Sequence, residues 1–72
     1  AISKKHKELM GLACSMVLRC NDCIAYHIEQ CHKLNCTKKE IVEAMNIALI
    51  IGGSIVIPHL RYAYTIINDL NF

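Results

Sequence analysis

Five cysteines in 72 residues are the first chemistry this sequence offers. Two of them lie three apart in Cys20-Asn21-Asp22-Cys23, and His27 follows four residues later. Thiols at that spacing can close an intramolecular disulfide. If a helix begins at the motif, Cys20 stands at its N-cap and Cys23 in its first turn. There the helix dipole and the unpaired backbone N–H groups stabilise a thiolate. His27 then falls on the same face as Cys23, one turn on, placed to take a thiol proton or return it. A nucleophilic thiol, a resolving thiol and a base are what a peroxidatic or disulfide-exchange cycle requires. In such a pair Cys20 is expected to be the more accessible thiol, and Cys23 the one shielded by its own helix and nearer His27.

Other chemistry competes for the same residues. Cys20, Cys23 and His27, with Cys31 or His32, could supply four zinc ligands. Structural zinc sites draw their ligand pairs from separate elements, however, whereas these all sit on one helix. No metal or cofactor is therefore assigned. The remaining candidates have plainer readings. Cys14 falls on the apolar side of the first helix and is expected in the core. Cys31 and Cys36 suit small inert hydrophobes, His6 and His32 exposed positions, and His59 a capped or packed place near Pro58. Tyr26 suits an interface or the core.

The elements that must position the motif follow from periodicity and capping. Four helices are expected. The first spans about Ser3–Leu18, with Leu9, Leu12, Ala13, Met16 and Val17 recurring at three- and four-residue spacing. A break over Arg19–Asp22 precedes the second, about Asn21–Lys33. Thr37-Lys38-Lys39-Glu40 matches a capping box. It opens a third helix over about Lys38–Ile51, with Ile41, Val42, Met45, Ala48 and Leu49 inward. Gly52-Gly53 ends that helix, and Ser54 is a natural N-cap for a fourth running to about Leu70, with Pro58 tolerable near its first turn. Glu8 lies about 15 Å before the first break and His27 about 10 Å beyond it at the standard helical rise. Antiparallel packing would bring the two to one height, where a carboxylate orients the imidazole and raises its basicity.

Composition bounds the rest. One domain, residues 1–72, is all the length allows, and a core of that size is marginal. Yet 54% of residues are hydrophobic and 19% charged, more apolar surface than one small domain hides. A homo-oligomer burying much of Ala44–Ile57 is expected. The net charge of +2 is too weak, and the basic residues too scattered, for a nucleic-acid partner. The charge-free stretch Ala44–Leu60, roughly 17 residues, sits at the lower bound for a membrane span. Asn46, Gly52, Gly53, Ser54, Pro58 and His59 interrupt it, so a buried helix pair is the better reading and no membrane partner is assigned. The N-terminal stretch lacks the uninterrupted apolar run of a signal peptide, and an odd cysteine count argues against a secretory disulfide framework. A cytoplasmic location is expected. The chain opens on Ala1 in sequence that already reads as helix, which leaves open whether residues precede it.

Together, Glu8, Cys20-x-x-Cys23-x-x-x-His27, Thr37-Lys38-Lys39-Glu40-Ile41 and Gly52-Gly53 resemble the AhpD-like group, the CxxC branch of the carboxymuconolactone decarboxylase superfamily. The resemblance runs from about Lys7 to Leu70. It implies an all-α fold that assembles as dimers, trimers or hexamers. It also implies a thiol-dependent alkylhydroperoxidase or disulfide-reductase activity, with a hydroperoxide or disulfide as substrate and a separate thiol protein as reductant. By resemblance, Glu8, Cys20, Cys23 and His27 form a proton-relay network. The well-characterised peroxidases of this kind carry a histidine inside the motif where this chain has Asp22, whose charge opposes thiolate formation. The decarboxylases generally lack the CxxC, which disfavours lactone decarboxylation. A decarboxylase-like protein without peroxidase turnover stays open, as does the zinc module.

Overall fold

A computed structural model describes residues Ala1–Phe72, which form four α-helices and no strand. Helix α1 spans Lys4–Val17, α2 Asn21–Lys33, α3 Lys38–Gly52 and α4 Ile57–Leu70, with a 3-10 turn at Gly53–Val56 between the last two. Each boundary has a local cause. Ser3 caps α1 by accepting the His6 N–H at 3.1 Å. Thr37 and Glu40 complete the capping box of α3: Thr37 Oγ1 accepts the Glu40 N–H at 3.2 Å, and Glu40 Oε1 accepts the Thr37 N–H at 2.8 Å. Lys5 reaches Glu40 from α1 at 2.9 Å. The bond from the Thr37 backbone and the Lys5 ammonium hold the Glu40 carboxyl below its ordinary range, and Lys5 is raised in turn.

Helices α1 and α2 end in the same way. Arg19 and Asn35 take left-handed backbone conformations, φ 59° and 61°. The next residue in each case, Cys20 or Cys36, donates its N–H back to the carbonyl five residues earlier, Ser15 at 3.0 Å and Cys31 at 2.9 Å. This is the Schellman arrangement, which satisfies helix-end carbonyls and turns the chain sharply. Both turns therefore deliver a cysteine to the start of the next segment.

The turns fold α1 back against α2 and let α3 pack on α1 and α4 on α2. Leu12 and Met16 of α1, Ile24 and Ile28 of α2, and Ile41 and Met45 of α3 are fully buried at the centre. Burial of each such side chain is worth about 1.5–3 kcal/mol. The expected inward stripes are largely those observed. Leu9, Ala13 and Val17 are only partly covered, because they border an open apolar groove of about 650 Å³ between α1 and α3. Cys14 lines this groove and is exposed, not in the core as expected, because its side of α1 overlooks α3 across a gap.

Ser54 does not cap α4. Gly53, at φ 77°, breaks the helix, the chain runs through one 3-10 turn, and α4 starts at Ile57 with no side-chain cap. Pro58 lies in its first turn, where its missing N–H costs nothing. By length and apolarity alone, the run Lys38–Leu70 could cross a membrane, and 28% of its most apolar window is buried. It is broken at Gly53, and its halves pack on different helices.

Candidate active site

Cys20 and Cys23 are joined by a disulfide, with Cα atoms 5.3 Å apart. The Schellman turn after α1 is what places Cys20 at the N-cap of α2. Its sulfur accepts the Cys23 N–H at 3.3 Å, the bond an N-cap oxygen would otherwise take. The pair thus sits at the positive end of α2, with Cys20 Sγ on a backbone donor that has no intrahelical partner.

The expected order of accessibility is reversed. Cys20 is partly buried and Cys23 is exposed. The N-cap sulfur is drawn in over the first turn it caps, where it accepts the Cys23 N–H. Asp22 is exposed beside them.

His27 lies one turn beyond Cys23 on α2. Its Nδ1 is 2.7 Å from Glu8 Oε1 on α1, and both side chains are about three-quarters covered. A carboxylate at that position can only accept, so Nδ1 carries the proton and Nε2 is left as the basic nitrogen. Tyr26 stands edge-on to the imidazole, with ring centroids 5.1 Å apart. The structure therefore brings Glu8 to His27 across the α1–α2 hairpin, and holds Cys20 and Cys23 together one turn away.

The other thiols are set apart. Cys31 and Cys36 are buried and free. Burial pushes the Cys31 thiol up to about 12, and the neighbouring Cys36 adds to the shift. Burial raises Cys36 as well, partly offset by its contact with Cys31. No three Cys, His, Asp or Glu side chains are gathered in a group that could hold a metal ion.

Two contacts were not legible in the sequence. His59 Nδ1 of α4 donates to Asn21 Oδ1, inside the motif, at 2.7 Å; no spacing rule links residues 38 apart. Gly11 lies directly beneath the His27 ring. The one signal for it was a glycine within a helical pattern, a costly residue that calls for a reason.

Comparison with known proteins fits this arrangement. The model of the carboxymuconolactone decarboxylase family matches residues 1–65. The chain belongs to that family. Two crystal structures of one Thermotoga maritima protein superpose on it with TM-scores of 0.96 and 0.95 at 53% identity. Each covers 97% of this chain, and this chain covers 72% and 63% of theirs. That protein is described as a carboxymuconolactone decarboxylase family member with a suggested part in the antioxidative response. No curated protein matches the chain. Within the family, this member carries the CxxC pair as a closed disulfide on the all-α fold.

Proposed function

We propose that this family member is a thiol-dependent redox enzyme that reduces organic hydroperoxides or disulfides by cycling Cys20 and Cys23 between dithiol and disulfide. The observation that carries the reading is a single conjunction: a cysteine pair at a helix N-terminus, one turn from an imidazole whose Nδ1 is held by a carboxylate at 2.7 Å. In the reduced protein, Cys23, exposed and one turn before His27, gives its proton to the imidazole. The thiolate attacks the outer oxygen of ROOH and the O–O bond breaks. Sulfur becomes sulfenic acid, and the leaving alkoxide takes the imidazolium proton to depart as ROH. Cys20 then attacks the sulfenic sulfur, the S–S bond forms, and hydroxide leaves as water with the Cys20 proton. Both electrons come from the two thiols, and a separate dithiol protein restores them by exchange through a mixed disulfide. A disulfide substrate would enter by the same exchange in reverse.

We further infer a homo-oligomer working in the cytoplasm. Ile50 and Ile51 of α3 are 82% and 69% exposed and Leu18 is 75% exposed, and the α1–α3 groove is lined by apolar side chains. Together they form the kind of open apolar surface that soluble monomers rarely leave uncovered. A stable monomer in sedimentation at micromolar concentration would refute the assembly.

The activity is tested by hydroperoxide consumption with a dithiol reductant. Wild type should exceed the uncatalysed rate and Cys23→Ser should not. Wild-type consumption no faster than free dithiol alone refutes the peroxidase reading and favours a family member without peroxidase turnover.

A further inference from the structure

Gly11 is the third residue after Glu8 on α1, on the side that faces α2. A Cβ built on it would lie 2.6 Å from Cε1 of His27, 2.8 Å from Nδ1 and 2.9 Å from Nε2. Those atoms are the reactive edge of the imidazole: both nitrogens and the carbon between them. The ring rests on bare helix backbone, at a distance no other residue permits. Glycine is a poor choice for a helix interior on propensity alone, so its presence there is a matter of the ring and not of α1.

We propose that Gly11 is a positioning residue of the redox centre, the seat that holds the His27 imidazole against Glu8 and on the Cys23 side of α2. Relieving a 2.6 Å contact to the ordinary limit of 3.4 Å takes a shift of about 0.8 Å. The ring is the movable partner, because the other is helix backbone, and since Glu8 stands on the same helix as Gly11, a ring pushed off α1 strains its 2.7 Å Nδ1 bond to Glu8. The inference rests on the redox reading for its purpose, but the seat itself can be measured without turnover.

The test is Gly11→Ala, made in wild type and in His27→Ala, with three readouts on each protein. Thermal melting reports the fold. The Nδ1 proton resonance of His27 reports the bond to Glu8. The alkylation rate of Cys23 in the reduced protein, followed against pH, reports the help the imidazole gives the thiol. In wild type, Gly11→Ala should keep or raise the melting temperature, since alanine favours helix. The same change should lose the protected Nδ1 resonance and slow alkylation at neutral pH on the order of tenfold to a hundredfold, the scale of a misplaced group. In the His27→Ala background it should slow nothing. An unaltered resonance and rate in Gly11→Ala would overturn the proposal, as would an equal slowing in both backgrounds. If Gly11→Ala fails to fold alone but folds with His27→Ala, the ring is shown to be what the glycine accommodates. If neither folds, the glycine serves α1 and the proposal fails. Absence of peroxidase activity in wild type would refute the redox reading and leave these outcomes standing.

Discussion

The molecule contains two cysteine pairs built around the same turn, and they end in opposite chemical states. After α1, a left-handed Arg19 presents Cys20; after α2, a left-handed Asn35 presents Cys36. In the first case the cysteine becomes the N-cap of the next helix, and its partner lies three residues forward on that helix's positive end. In the second, Thr37 takes the N-cap, and the cysteine turns back onto Cys31, five residues behind, on the negative end of the helix just finished. The first pair has a backbone donor on Cys20, solvent at Cys23 and an imidazole one turn on. The second meets its own partner thiol inside the core, with burial pushing Cys31 up to about 12. One turn geometry, shifted by a single capping position, separates a thiol pair suited to exchange from one suited to filling a core.

The largest expected difference comes from removing one sulfur from each pair. Cys23→Ser should abolish reduction of hydroperoxide, a loss of at least about a thousandfold given the few routes left to a missing nucleophile, while the melting temperature of the reduced protein stays put. Cys36→Ser should do the reverse. Turnover should stay within about twofold, but a hydroxyl in place of the buried thiol, with only the weakly bonding Cys31 sulfur beside it, should cost on the order of 1–3 kcal/mol, several degrees in melting temperature for a chain of this size. Equal activity losses would erase the distinction between the pairs.

Next in size is the imidazole that only the first pair possesses. Glu8→Gln and His27→Ala should each slow turnover on the order of a hundredfold, the usual worth of a general base. The double variant should be little worse than His27→Ala, since the two act as one unit. Raising the pH should rescue Glu8→Gln, because the thiolate then forms without help. Independent effects, or no rescue at high pH, would remove Glu8 from the relay.

How much of this contrast could be read beforehand depends on the range of the interaction. The start of α2 at Asn21 and the capping box at Thr37 were legible because they are written in four or five consecutive residues. The match between Glu8 and His27 was legible because two helices joined by a tight break have only one simple way to pack, and rise per residue converts sequence position to height. Side-chain exposure at a helix terminus has no such rule, and there the reading failed: Cys23 is exposed and Cys20 partly buried. It failed again at Cys14, whose apolar neighbours suit a core as well as they suit an open groove. The Ser54 cap was lost because glycine at φ 77° allowed an extra 3-10 turn that capping preferences do not count.

The buried pair should also show itself at alkaline pH. The raised Cys31 thiol keeps its proton in the folded chain while the unfolded chain releases it near the ordinary thiol value. Between about pH 8.5 and 12 the unfolded state therefore binds fewer protons than the native one, and stability falls as pH rises. Below that window both states are protonated and the pair contributes no slope. Denaturant midpoints of the reduced protein from pH 7 to 10 should decline, and Cys31→Ala, though less stable throughout, should decline less. Parallel curves would mean that Cys31 titrates normally and that the two pairs differ less than their surroundings imply.

The smallest expected effect concerns the reach of α4 onto the first pair. His59 Nδ1 donates to Asn21 Oδ1 at 2.7 Å, fixing the first residue of α2 from outside the α1–α2 hairpin. When the disulfide opens, Asn21 and Asp22 lose the cross-link that spans them. The His59 bond then adds to the Schellman turn in keeping the start of α2, and with it Cys20, within reach of Cys23. An exposed hydrogen bond of this kind is worth about 0.5–1.5 kcal/mol, so its removal should lower the effective concentration of one thiol at the other by a few fold. For a two-electron couple, threefold corresponds to about 15 mV. His59→Ala should make the Cys20–Cys23 disulfide that much easier to reduce in a glutathione titration, whereas His59→Gln, which retains a donor, should recover part of the difference. Alkylation of Cys31 and Cys36 should not change in either variant, because the His59 bond is made to Asn21, at the opposite end of α2 from that turn. A wild-type potential in His59→Ala would show that the Schellman turn alone holds Cys20 in place. The contrast between the two pairs would then rest entirely on the α1–α2 hairpin.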